Sequence, residues 1–167
     1  MIGRFFTQPS GAYRNFQLVF TVLTLNFTIP AVSYLVAPDV ALKGVHDMSA
    51  LFGVPYTANE DGHFWRFLAF SDVMTLGFIC LLLQVNIRRW YPALLPLMFL
   101  KSCSVFAAAY VGLFQYQHPF FIVPVVLDSL TVAAMGFFAS RAHRQIRDRS
   151  DAELVPRPRF VQPAASP

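Results

Sequence analysis

Charge is scarce in this chain. Lys, Arg, Asp and Glu make up 13% of its 167 residues, roughly half the share of a soluble domain. That shortage excludes an ordinary cytosolic globule. Cysteine is nearly absent as well. Cys80 and Cys103 are the only two, each inside an apolar run. Spanning helices place them at different depths, so no disulfide is expected. CxxC pairs, zinc-ligand spacing, a haem-attachment motif and internal repeats are all missing. No cofactor is therefore expected. His46, His63 and His118 gather on one side with Asp47, but without ligand spacing they read as interfacial histidines and not a metal site. None of the four histidines lies in a helix interior, which argues against a di-histidine haem.

What the chain has in excess is apolar. Hydrophobic residues reach 56%, and mean hydropathy is +0.50. Four runs are long enough to cross a hydrocarbon core of roughly 30 Å: 16–37, 64–87, 92–114 and 119–140. The first is too long for a signal-peptide core and lacks a clear cleavage site, so it counts as a span. Asn26 and Pro30 interrupt it. Pro30 offers no N–H to the Asn26 carbonyl, which predicts a kink. Residues 38–63 form the one long loop. Val45, Met48, Leu51 and Phe52 recur there at helical spacing, so a short interfacial helix is expected, ended by Gly53 and Pro55. Thr57 and Glu60 have capping-box spacing ahead of the second span. Turns at 88–91 and 115–118 are so short that spans two to four must be antiparallel neighbours. A polar arm covers 1–15. The tail 141–167 is basic, then proline-rich, and is expected to be disordered beyond about Ser150.

Orientation follows from lysine and arginine. The arm, the 88–91 turn and the tail hold ten of the thirteen basic residues; the opposite side holds Lys43 and Arg66. This places both termini in the cytoplasm and the 38–63 loop outside. Aromatic belts agree, with Trp65 and Tyr116 at the outer ends and Tyr13, Trp90 and Tyr91 at the inner ones. The basic surplus thus reads as membrane topology, with no nucleic-acid partner. The arginines at 141, 144, 147 and 149 could also hold anionic headgroups.

Each span carries one polar residue near its middle. At 1.5 Å per residue, Asp72 and Asp128 lie about 12 and 13 Å from the outer ends, Lys101 and Asn26 about 13 and 15 Å from the inner ones. They are therefore expected near one plane. Ser104, Ala108 and Gly112 share the Lys101 face, a small-residue row suited to close packing, so Lys101 should point into the bundle. One cation between two acids leaves a spare negative charge. It invites either a bound cation or amine, or a structural ion pair beside a hydrogen-bonded neutral acid. Ser102 and Ser104 flank Lys101, but Ser–Lys chemistry needs oxyanion donors that a regular helix does not supply.

The pieces Phe64-Trp65-Arg66, Leu100-Lys101-Ser102 and Leu127-Asp128-Ser129 resemble the small four-helix bacterial membrane proteins of the DoxX type, over roughly half the chain. The resemblance implies a four-helix fold in a bacterial cytoplasmic membrane, and no site residues. The layout is also similar to the sterol-isomerase-like and sigma-2-receptor-like bundles, as an analogy of architecture. The expected protein is all-α, with the lipid bilayer as its first partner and other membrane subunits or a second copy as further ones. Two function classes are open. One is a non-enzymatic accessory or assembly subunit with the polar centre Asn26, Asp72, Lys101 and Asp128 as glue. The other is a protein that binds a cation, amine or amphiphile, or handles protons, at that centre.

Overall fold

The computed structural model describes residues 10–57 and 63–147. Among them there are helices and turns but no strand. Helix α1 is Gly11–Val36, α2 Pro38–Leu51, α3 His63–Val85, α4 Ile87–Trp90, α5 Leu94–Tyr110 and α6 Ile122–Ile146. Tighter 3-10 turns at Tyr91–Ala93 and Pro119–Phe121 lead into α5 and α6, and a π-helical turn, Val111–Gln115, closes α5. Among the described residues, four stretches are long and apolar enough to cross a membrane: Gly11–Val36, Leu68–Val85, Ile87–Gln115 and Pro119–Ile146.

Several boundaries differ from the sequence expectation. Helix α1 starts five residues before Phe16, because Ser10 caps it: its hydroxyl accepts from the Tyr13 amide at 3.1 Å. It runs unbroken through Pro30 to Val36. Most of the 38–63 loop is helix. Pro38 opens α2 at a position where its missing N–H costs nothing, and Gly53 turns the chain out with a φ of 73°. The expected capping box at Thr57 and Glu60 extends outside the described residues, as does the tail from 148 onward. Helix α6 continues six residues past Ser140. Ala142 and Ile146 extend the buried row of Met135 and Ala139, while Arg141 and Arg144 face outward between them.

Packing is uneven along the bundle. One core cluster joins Tyr13, Phe16 and Phe20 of α1, Leu83 of α3, Ile87 of α4, Leu94 and Leu97 of α5, and Met135, Ala139 and Ile146 of α6. This is the basic end, where Arg88 donates from Nε and Nη2 to the Arg147 carbonyl at 3.2 and 2.7 Å and so caps the end of α6. Tyr91 stacks on His143 there, with ring centroids 3.9 Å apart. The opposite, loop end is looser. From Leu68 onward α3 buries nothing before Leu76, and α5 buries nothing after Leu97. Tyr56 closes part of that end by stacking on Phe120 at 4.7 Å, and the buried Ser49 hydroxyl accepts from the Tyr56 amide at 2.8 Å. Helix α1 packs on α3 and α6, and α5 packs on α6.

Candidate functional site: a charged clamp between two spans

Lys101 lies one turn beyond Leu97, the last buried residue of α5, and Asp128 lies on α6 seven residues before buried Met135. Their side chains are 13% and 16% exposed, and Nζ stands 2.7 Å from Oδ1. Ser104, one turn along α5, donates its hydroxyl to the other carboxylate oxygen, Oδ2, at 2.7 Å. The ammonium also sits 5.1 Å from the centroid of the Phe27 ring, on α1. Both carboxylate oxygens are thus held, and the cation rests on an aromatic face. Charge-assisted hydrogen bonds of this kind are the strong ones. The clamp ties α5 to α6 and touches α1.

The other two members of the expected centre stand apart. Asp72 and Asn26 are exposed. Asp72 forms no ion pair among the described residues. Depth fixed only the height of these groups. Asp72 is exposed because the α3 core stops at Leu76, one turn away. Asn26 flanks buried Phe27 but falls among the exposed Leu25, Ile29 and Pro30.

A second polar clamp was not anticipated. Gln84, buried on α3, donates to the Phe20 carbonyl at 3.1 Å, to Thr24 Oγ1 at 2.8 Å and to the Cys80 carbonyl at 3.2 Å. Its own Oε1 accepts from Thr21 at 2.7 Å. Gln17, buried on α1, donates to the Gln84 carbonyl at 2.9 Å and to the Tyr13 hydroxyl at 3.0 Å. Gln17, Thr21 and Thr24 recur at helical spacing on one face of α1, which was the available signal. Two turns from Gln84, Gly77 lets the helices approach: a Cβ there would lie 2.8 Å from Thr28 Oγ1.

Of the expected interfacial histidines, His46 and His118 have local partners, while the side chain of His63 lies outside what the structure describes. Nδ1 of His118 accepts from the Phe120 amide at 3.2 Å, and Nδ1 of His46 lies 3.3 Å from the Tyr56 carbonyl. Asp47 pairs with Lys43. Cys80 is buried and Cys103 exposed, both as free thiols. No protein-family model, curated protein or solved structure matches this chain.

Proposed function

We propose that this chain is a non-enzymatic accessory or assembly subunit of a membrane complex. In this reading the four spans form an antiparallel bundle in a bacterial cytoplasmic membrane, with both termini on the cytoplasmic side. Pairings between α1 and α3 support the antiparallel order, since Gln17 meets Gln84 while Thr28 meets Gly77. The clustering of arginines at one end supports the orientation, and the likeness to DoxX-type proteins points to the same architecture.

The observation that carries the functional reading is the closed state of the clamp. Lys101 and Asp128 neutralise each other, and Ser104 donates to the same carboxylate. A general base or a nucleophile is aimed at substrate, whereas here the Asp128 carboxylate is ion-paired to Lys101 and hydrogen-bonded to Ser104. The arrangement suits a lock that fixes two spans in register. Asp72 adds the outward-looking half. An exposed carboxylate on an apolar span costs about 3 kcal/mol in lipid, and intramembrane acids usually face a partner or a cavity. A neighbouring subunit that presents a cation or hydrogen-bond donors to Asp72 removes that cost.

Co-purification in mild detergent tests this. The tagged protein should carry a stoichiometric protein partner, and Asp72→Asn should weaken the association without unfolding the chain. A monomer that carries a bound small molecule at Lys101–Asp128, with no protein partner, would refute it.

A further inference from the structure

We propose that the loop end of the α5–α6 pair is a binding site for a small neutral amphiphile with an apolar body and a carbonyl oxygen in its head. The site is a cavity of about 360 Å³, within the size range of small-molecule sites though near its lower limit.

Its origin lies in the spacing of two contacts. Helices α5 and α6 are pinned together at Ser104–Asp128. They meet again at Gly112, where an added Cβ would fall 2.7 Å from the Cβ of Phe121. Gly112, in the π-helical turn that closes α5, lies eight positions beyond Ser104, about 12 Å of helix. Ala108 and Ala109 line the cavity on the Ser104 side of Gly112, with Val125 on α6, and Leu113, Pro119 and Ile122 line it on the loop side. Alanine is too short to fill it. The π-helical turn at Val111–Gln115 is a rare geometry that recurs at functional sites. Beyond it Gln117 adopts a φ of 46°, unusual for a residue with a Cβ. The cavity runs from the alanine stretch past the Gly112–Phe121 contact into the 117–119 turn, a space the bundle leaves unfilled. Walls without partner atoms forfeit dispersion contacts that an occupant would restore.

The polar rim narrows the ligand class. His118 lines the cavity. Because its Nδ1 accepts from the Phe120 amide, the neutral ring carries its proton on Nε2. That N–H meets no acceptor among the described residues. Asp128, the acid of the α5–α6 pair, is not among the lining residues and is already paired with Lys101 and Ser104. The cavity therefore presents mostly apolar walls with two polar side chains, Gln117 and His118, and no Asp, Glu, Lys or Arg among its lining. A cationic head finds no anion here and an anionic head finds no cation. A neutral carbonyl satisfies the donor. The volume corresponds to about a dozen waters, which suits a single ring system or one short chain and excludes a diacyl lipid.

Benzophenone is a direct probe: an apolar ketone of fitting size that labels neighbouring C–H bonds under ultraviolet light. The full chain is reconstituted in phosphatidylcholine nanodiscs and irradiated, and labelled peptides are mapped by mass spectrometry. Saturable labelling should concentrate between Ala108 and Val125. Unlabelled 2-decanone should compete, and decane, which lacks the carbonyl, about five-fold less well, the value of one neutral hydrogen bond. Ala109→Leu, which fills the space, should abolish saturable labelling. His118→Phe leaves the alanine walls intact and should weaken labelling about five-fold; it decides the matter if Ala109→Leu lowers the melting temperature. Labelling spread evenly over the lipid-facing helices would overturn the proposal. So would equal competition by decane, or His118→Phe labelling like the native chain.

Discussion

Replacing Lys101 and Asp128 singly and together gives the sharpest test of the clamp. Lys101→Met leaves the Asp128 carboxylate with the Ser104 hydroxyl as its one remaining partner. Breaking a buried pair costs about 3 kcal/mol or more, because a charge stays behind without its counter-ion. Asp128→Leu should cost less, about 2 kcal/mol, since the lysine keeps the Phe27 ring and its flexible stem can carry the ammonium toward the interface. The double variant Lys101→Met with Asp128→Leu removes both charges and fills the space with apolar atoms. Such replacements are often neutral or stabilising, so its expected cost is about 0 kcal/mol. The coupling energy is then about 5 kcal/mol, well above the 1 kcal/mol or less of a surface pair. Unfolding in mixed micelles, followed by the fluorescence of Trp90 beside the core, measures all three variants. Additive single effects, with a coupling below about 1 kcal/mol, would show that the two side chains do not act as a unit.

Other outcomes follow from the same geometry. Gln84→Leu removes three donated bonds and one accepted bond between and within α1 and α3; at about 0.6 kcal/mol each in a membrane interior it should lose roughly 2 kcal/mol in the same assay, and an unchanged midpoint would rule out the clamp. Gly112→Ala forces a Cβ onto Phe121 and should destabilise by about 1–3 kcal/mol, whereas Gly11→Ala, where nothing lies within 4 Å, should not; equal effects would contradict the close approach. Asp72→Asn should leave monomer unfolding within about 0.5 kcal/mol of the native chain, because the carboxylate has no ion-pair partner among the described residues; a larger loss would reveal an internal contact. Reporter fusions at residue 50 and at the C terminus should report opposite sides of the membrane, and a cytoplasmic reading at residue 50 would sink the topology.

The four spans were legible because long apolar runs have few alternative readings, and the inward direction of Lys101 was legible because Ser104, Ala108 and Gly112 mark its face. What sequence could not supply was azimuth at a given depth. Asp72 was grouped with Lys101 on height alone, yet α3 has no closed core at that level. The glutamine clamp leaves a weak mark in the sequence for a different reason. Uncharged amides in apolar runs carry no obvious cost, and Gln17 fell in the first turn of a helix that was assumed to start at Phe16. The Ser10 cap moves that start back by more than a turn and brings Gln17 well inside. The end of α6 was misplaced because arginines at 141 and 144 looked like a tail, although Ala142 and Ile146 kept the buried period.

The positions of the two clamps follow from the solvent. Inside a bilayer, lipid tails compete with Leu or Phe for apolar contact, so more apolar burial adds little to helix association. Close backbone approach and polar bonds must carry it. Each of the two tightest helix pairs has one of each. The α1–α3 pair has Gln84 with its bonds to α1, and Gly77 against Thr28. The α5–α6 pair has Asp128 with Lys101 and Ser104, and Gly112 against Phe121. The charged clamp stands where the packed core gives out, one turn past Leu97, and the uncharged clamp stands inside the core, beside Tyr13 and Phe20. That division is physically consistent. Amides can be satisfied by backbone carbonyls in a dry interface, whereas a lysine and an aspartate carry a larger desolvation penalty and are tolerated where the helices separate and some polar access remains.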